Sequence, residues 1–184
     1  MNSKNEIKGV MLSLTLFAAV QSACAQVNAD NDLPVPKAIA VGEKLSDSDS
    51  KQMIHTARLF YAFWNTGNPE FARAALAGDF KDNTLPKGRP QGITGVLSAS
   101  KNFRTAIPDL QCSIEDLLIN KDKVVARLVF TGHNTGSFNG RSPTGKPISF
   151  FAIDILHVKE GRIYEDWHLE DNLSFLQQID VIKL

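Results

Sequence analysis

The hydrophobic period of this chain changes at Pro108. Before it, apolar residues recur at three and four: Met53, Thr56, Ala57, Phe60, Phe63 and Trp64 make one stripe, and Ile93 to Ala106 carries another. Beyond it the period falls to two, in runs such as Val124 to Thr131 that are rich in β-branched residues. Helices first and strands afterwards fold as an α+β domain.

Punctuation divides each half. Ser46, Asp47 and Ser48 offer N-caps for the first helix, and the segment Asn65 to Pro69 stops it. Pro69 suits the first turn of a short second helix reaching about Leu76. Phe80 to Asn83 reads as a short strand, Pro86 to Gly92 as a loop, and Ile93 to Ala106 as the third helix. Strands follow at Gln111 to Asn120, Val124 to Thr131, Pro147 to Lys159 and Arg162 to Leu169. A loop at Gly132 to Lys146 interrupts them, and Asn172 to Ile179 reads as a last short helix. The strand faces mix apolar and polar residues, as expected if both faces of a curled sheet meet something. A pocket is expected between that sheet and the helices.

The first 25 residues read as an address. Lys4 and Lys8 precede an apolar stretch, Gly9 to Val20, and Ala23-Cys24-Ala25 is a small-x-small cleavage signature. That stretch is too short to cross a bilayer as a helix. A signal peptide cleaved after Ala25 is therefore expected, making the mature chain periplasmic or secreted. Lipoprotein processing at Cys24 is the alternative, with Gln21 standing where that signal carries an aliphatic residue. Residues 26–46, polar and with Pro34 and Pro36, read as a flexible leader, leaving the domain to residues 47–184.

Charge excludes several partners. The chain has 20 Lys and Arg against 20 Asp and Glu, and losing Lys4, Lys8 and Glu6 leaves it near neutral. No basic stripe points to nucleic acid, no run of like charges to a membrane surface, and no integral membrane segment is expected in the mature chain. Cys112 would be its single cysteine, so no intrachain disulfide is expected, and the thiol reads as a small buried hydrophobe.

The last two strands meet at the turn Glu160-Gly161, and Asp154 and His168 lie equally far on either side of Gly161. In an antiparallel hairpin such residues are near-opposite. Parity groups Phe150, Ala152, Asp154 and Leu156 on one strand with Tyr164, Asp166 and His168 on the other. A carboxylate and an imidazole among apolar residues are costly unless paired or functional. His168 as base and Asp154 as its orienter would make an acid–base unit; a structural Asp–His pair is the alternative. Trp64 and Phe150 are candidate pocket rings, Tyr61 and Tyr164 candidate hydrogen-bond donors to a ligand, and Asn134 a candidate oxyanion donor. Asp171 reads as the N-cap of the last helix, with Glu170 its neighbouring acid. No histidine or cysteine spacing suits a metal, and no glycine-rich phosphate loop or serine elbow occurs, so neither metal nor cofactor is expected.

Several blocks together resemble the SnoaL-like polyketide cyclases, or ester cyclases, of the nuclear transport factor 2-like superfamily. They are Phe60-Tyr61-Ala62-Phe63-Trp64-Asn65-Thr66-Gly67, Ile114-Glu115-Asp116-Leu117, Val125-Ala126-Arg127, Phe130-Thr131-Gly132 and Pro143-Thr144-Gly145-Lys146. Ile153-Asp154-Ile155, Gly161-Arg162-Ile163, Trp167, Asp171 and Leu176-Gln177-Gln178 complete the series, which runs from about residue 50 to 180. The resemblance implies a cone of helices on a curved antiparallel sheet, one deep pocket, and a homodimer in many members. It implies aldol ring closure without metal or cofactor, by a carboxylate assisted by a histidine. By position the carboxylate falls on His168 and the histidine on Asp154, so the two residue types are exchanged.

Two functions follow as expectations. One is a cofactor-independent acid–base enzyme of the lyase, isomerase or hydrolase type, acting on a small apolar carbonyl-bearing molecule. The other is a non-catalytic periplasmic module of the same fold that binds such a molecule.

Overall fold

The computed structural model describes residues 33–183, so the expected signal peptide and its expected cleavage site lie outside the described residues. Strand β1 spans Ala38–Val41, followed by α1 at Asp47–Thr66, α2 at Pro69–Ala75, β2 at Leu76–Asp82 and α3 at Ile93–Ala106. Then come β3 at Gln111–Asn120, β4 at Lys123–His133, β5 at Pro147–Lys159, β6 at Arg162–Glu170, and α4 at Asn172–Gln178.

Local chemistry sets these bounds. The Ser46 hydroxyl caps α1 by accepting from the Asp49 amide, and Asp47 and Asp49 sit at the positive end of the helix dipole. Gly67 ends α1 at φ 71°, where a Cβ would also come within 3.0 Å of the Arg104 side chain, so glycine is required twice over. Asn68 caps α2, with Pro69 in its first turn. Asp171 caps α4 by accepting from the Ser174 amide.

The six strands form one curved, unclosed sheet in the order β1-β3-β4-β5-β6-β2. The four central strands run as an antiparallel meander, and the two edge strands add parallel, β1 on β3 and β2 on β6. The register of β5 and β6 places Asp154 opposite His168, as counting from the turn predicts. The leader reading needs correction in part. β1 forms inside that segment and docks on β3, while the Arg58 guanidinium donates to the carbonyls of Leu33 and Pro34 just before it.

The inner face of the sheet and the helices share one core. Along β5 burial alternates cleanly, with Ile148, Phe150, Ala152, Asp154, Leu156 and Val158 inside. Opposite them α1 buries Ala57, Phe60, Tyr61 and Phe63. Full burial of such a large apolar side chain contributes about 1.5–3 kcal/mol. The expectation that both sheet faces are covered does not hold within the chain. Phe151, Ile155 and Leu169 stand on the outer face at 48, 40 and 70% exposure, which is why the strand pattern looks mixed. Among the described residues no helix is long and apolar enough to cross a membrane.

Candidate active site

A cavity of about 300 Å³ opens between the sheet and the helices. Phe60, Trp64, Phe80, Phe103, Phe130 and Phe150 form its apolar wall, and Asp82, Asp154, Asp166, His168, Glu170 and Arg89 its polar one. The rings brace one another: Phe130 stacks on Phe150 with centroids 5.3 Å apart, and Trp64 meets Phe130 edge-on at 6.0 Å.

Three adjacent strands supply the polar wall. On β6, Asp166, His168 and Glu170 alternate inward at period two. On β5, Asp154 pairs with His168 and Ala152 with Glu170. The parallel pairing of β2 with β6 then sets Asp82 beside Asp166.

His168 is held between two carboxylates. Its Nδ1 lies 2.7 Å from Glu170 Oε1, and its Nε2 lies 3.2 Å from both oxygens of Asp82. Burial opposes the imidazolium, yet the Glu170 hydrogen bond and the surrounding carboxyl charge prevail and carry His168 up to about 10. The histidine is therefore a fixed cation at neutral pH, with both ring N–H groups already donating. Glu170 answers it: burial would raise this carboxyl, but the His168 bond and charge hold it below its ordinary value.

Asp154 has the opposite character. It is 5% exposed and accepts one side-chain hydrogen bond, from the Tyr61 hydroxyl at 3.1 Å. Burial pushes its carboxyl up to about 7, against the pull of the His168 charge and the Tyr61 bond. Asp166, 4% exposed, is raised too, first by burial and then by the charge of Asp154. The Tyr61 hydroxyl, wholly buried beside Asp154, is pushed up and keeps its proton.

The loop after β2 is fastened to the same site. Gln91 clamps Asp82 by accepting from its amide at 2.7 Å and donating to its carbonyl at 2.9 Å. The Thr84 hydroxyl accepts from the His168 amide at 2.9 Å, and Arg89 Nη1 comes within 4.0 Å of Asp82.

The family model for SnoaL-like polyketide cyclases matches residues 54–179. A candidate polyketide cyclase from Bacillus cereus ATCC 10987 is 50% identical, with a TM-score of 0.76 over 82% of this chain and 95% of that one. The chain belongs to the SnoaL-like polyketide cyclase family. IdmH from Streptomyces antibioticus, also a candidate polyketide cyclase, is 28% identical, with a TM-score of 0.62 over 68% of this chain and 96% of that one. A SnoaL-like protein from Jannaschia Sp. CCS1 shares the fold at 21% identity and a TM-score of 0.65, over 77% of this chain and 100% of that one. No curated protein matches.

Within this SnoaL-like fold the residues singled out in the sequence separate. Asp154, His168, Trp64 and Phe150 line the cavity. Tyr61 stands behind Asp154, reaching the site through that carboxyl rather than through the cavity wall. Tyr164 does not reach it. A register shift after His157 leaves Tyr164 as the extra residue of a bulge, with its ring 6.0 Å below the Lys159 ammonium. Asn134 is buried away from the cavity and ties a loop together, donating to the Ala106 and Gly136 carbonyls and accepting from the Thr144 amide. Nor does Asp154 orient His168 by a hydrogen bond; Asp82 and Glu170 hold the ring, and Asp154 bonds Tyr61. Glu170, read as an acid of the last helix, belongs to the cavity wall instead. Among the described residues no group of histidine, cysteine and acidic side chains could hold a metal ion.

Asp82 and Asp166 carry no role in the sequence reading, and Glu170 carries a different one. The period-two series Asp166, His168, Glu170 was the available signal for two of them. Asp82 had none, because its place depends on a parallel pairing across more than eighty residues.

Proposed function

We propose that this SnoaL-like protein is an exported, cofactor-independent acid–base enzyme acting on a small apolar molecule that carries a carbonyl group. The single observation that supports the reading most is Asp154: a carboxyl facing an apolar cavity, raised to about 7, and so able to take and return a proton near neutral pH.

The roles of the pair reverse the sequence expectation. An imidazolium held up to about 10 is not a base at pH 7, so Asp154 is the proton acceptor and His168 supplies fixed positive charge beside it. Ionised Asp154 removes a proton from the carbon next to the carbonyl. The C–H electron pair forms a C=C bond, and the carbonyl π pair moves onto oxygen. The enolate carbon then attacks a second carbonyl within the same molecule, and protonated Asp154 returns its proton to the new alkoxide. Atoms and charge balance with no co-reactant. The apolar rings keep bulk water from the enolate.

Export rests on the N-terminal address, and the homodimer implied by the family on the exposed outer sheet face; sedimentation velocity of the mature chain checks the dimer. The chemistry is tested with tetralone, a flat apolar ketone, followed by NMR in D₂O. The protein should exchange the protons beside its carbonyl, and Asp154→Asn should slow exchange about a hundredfold or more. Tetralone that binds without exchanging would return the protein to the binding-module reading.

A further inference from the structure

Four carboxyl groups stand on the cavity wall, and three have hydrogen-bond partners. Asp82 and Glu170 hold His168, and Asp154 accepts from Tyr61. Asp166 is the fourth. It is 4% exposed, and among the described residues no donor reaches its Oδ1. Its strand neighbour across the parallel pairing is Asp82, another acid.

An ionised Asp166 would be a buried charge next to carboxylates, with nothing bonded to it, a state costing several kcal/mol. Its neutral form removes the charge and turns an acceptor into an O–H donor. That donor lies at the edge of a space large enough for a ligand. Buried polar groups left unpaired in a folded chain call for a reason.

We propose that Asp166 donates a hydrogen bond from its own carboxyl O–H to the carbonyl oxygen of the substrate, and so selects molecules whose acidic carbon lies next to such an oxygen. The inference deepens the acid–base reading and rests on it for the identity of the reacting carbon. As Asp154 draws the proton, charge gathers on the carbonyl oxygen, and the Asp166 bond strengthens as the enolate forms. The proton of Asp166 stays on Asp166 throughout. His168 cannot take this part, because Glu170 and Asp82 already occupy both of its ring nitrogens. Tyr61 cannot either, because its hydroxyl donates to Asp154.

Infrared difference spectroscopy of the full mature protein at pH 7, wild type minus Asp166→Asn, tests the donor directly. The carbonyl stretch of a protonated carboxyl should appear, and its absence would overturn the proposal. Binding of naphthol, an apolar ring system bearing an enolate-like oxygen, tests the ligand class. Asp166→Asn keeps an uncharged donor and should bind within about threefold of wild type, whereas Asp166→Ala should bind about tenfold more weakly or worse. Equal binding by wild type and Asp166→Ala, or no naphthol binding by wild type, would overturn it. If the band and the binding pattern appear while tetralone shows no exchange, the donor stands and the acid–base reading falls.

Discussion

The Tyr61 hydroxyl donates to Asp154 Oδ2 across 3.1 Å, at a place where the tyrosine is wholly buried and the carboxyl nearly so. This bond ties the C-terminal half of α1 to the middle of β5, and it is a direct hydrogen bond from helix to reacting group. It also tunes that group, since a donor to a carboxylate favours the ionised form. Tyr61→Phe should therefore lift Asp154 above its present value of about 7. The same change should cost about 1 kcal/mol in stability. Urea unfolding gives the second number, and the pH dependence of tetralone exchange gives the first.

Stability should fall as pH rises, in two steps. Asp154 titrates at about 7 in the fold and about 3.9 in the unfolded chain, so between those values the native state binds more protons and loses stability with rising pH. His168 titrates at about 10 in the fold and about 6.5 unfolded, so its contribution is full below the unfolded value and lost towards about 10. Thermal unfolding across this range should show a decline over both windows. Asp154→Asn should flatten the first, and His168→Gln the second.

Removing the cation should be costly. In His168→Gln, Asp82 and Glu170 face each other across the cavity wall without the charge between them. Breaking such a pair from one side destabilises by about 3 kcal/mol. Asp154 would lose the His168 charge that now opposes its rise, so the exchange profile should move to higher pH. Urea unfolding and the exchange profile of the variant check the two effects.

The cavity can be closed without touching a charged group. Ala99 lines it from α3, and Ala99→Leu adds apolar volume to a space of about 300 Å³. Naphthol binding should weaken about tenfold or more, while stability stays within roughly 1.5 kcal/mol of wild type. Titration calorimetry and urea unfolding separate the two.

How far the sequence discloses this architecture differs from element to element. The Asp154 and His168 pairing follows from equal spacing about Gly161 because the bulge adds one residue; an unbroken ladder from the two-residue turn would set Asp154 opposite Trp167. The same bulge sends Tyr164 astray, because it is the extra residue between Ile163 and Glu165 and has no partner on β5. β1 escapes because all four of its residues are exposed and it joins an edge, leaving no alternation to read. Side-chain roles are the least legible. The same carboxyl and imidazole exchange functions according to what surrounds them, and the neighbours that decide it, Asp82 and Glu170, arrive through strand pairing and side-chain direction. Composition carries none of that.

Proton transfer at neutral pH requires that Asp154 hold its proton until close to 7. The direct measurement is carbon-13 NMR titration of the aspartate carboxyls in the intact mature protein, with Asp154 assigned by loss of its signal in Asp154→Asn. A midpoint near 7 for Asp154, moving upward in His168→Gln, is the predicted result. A midpoint in the ordinary aspartate range near about 4 would contradict it.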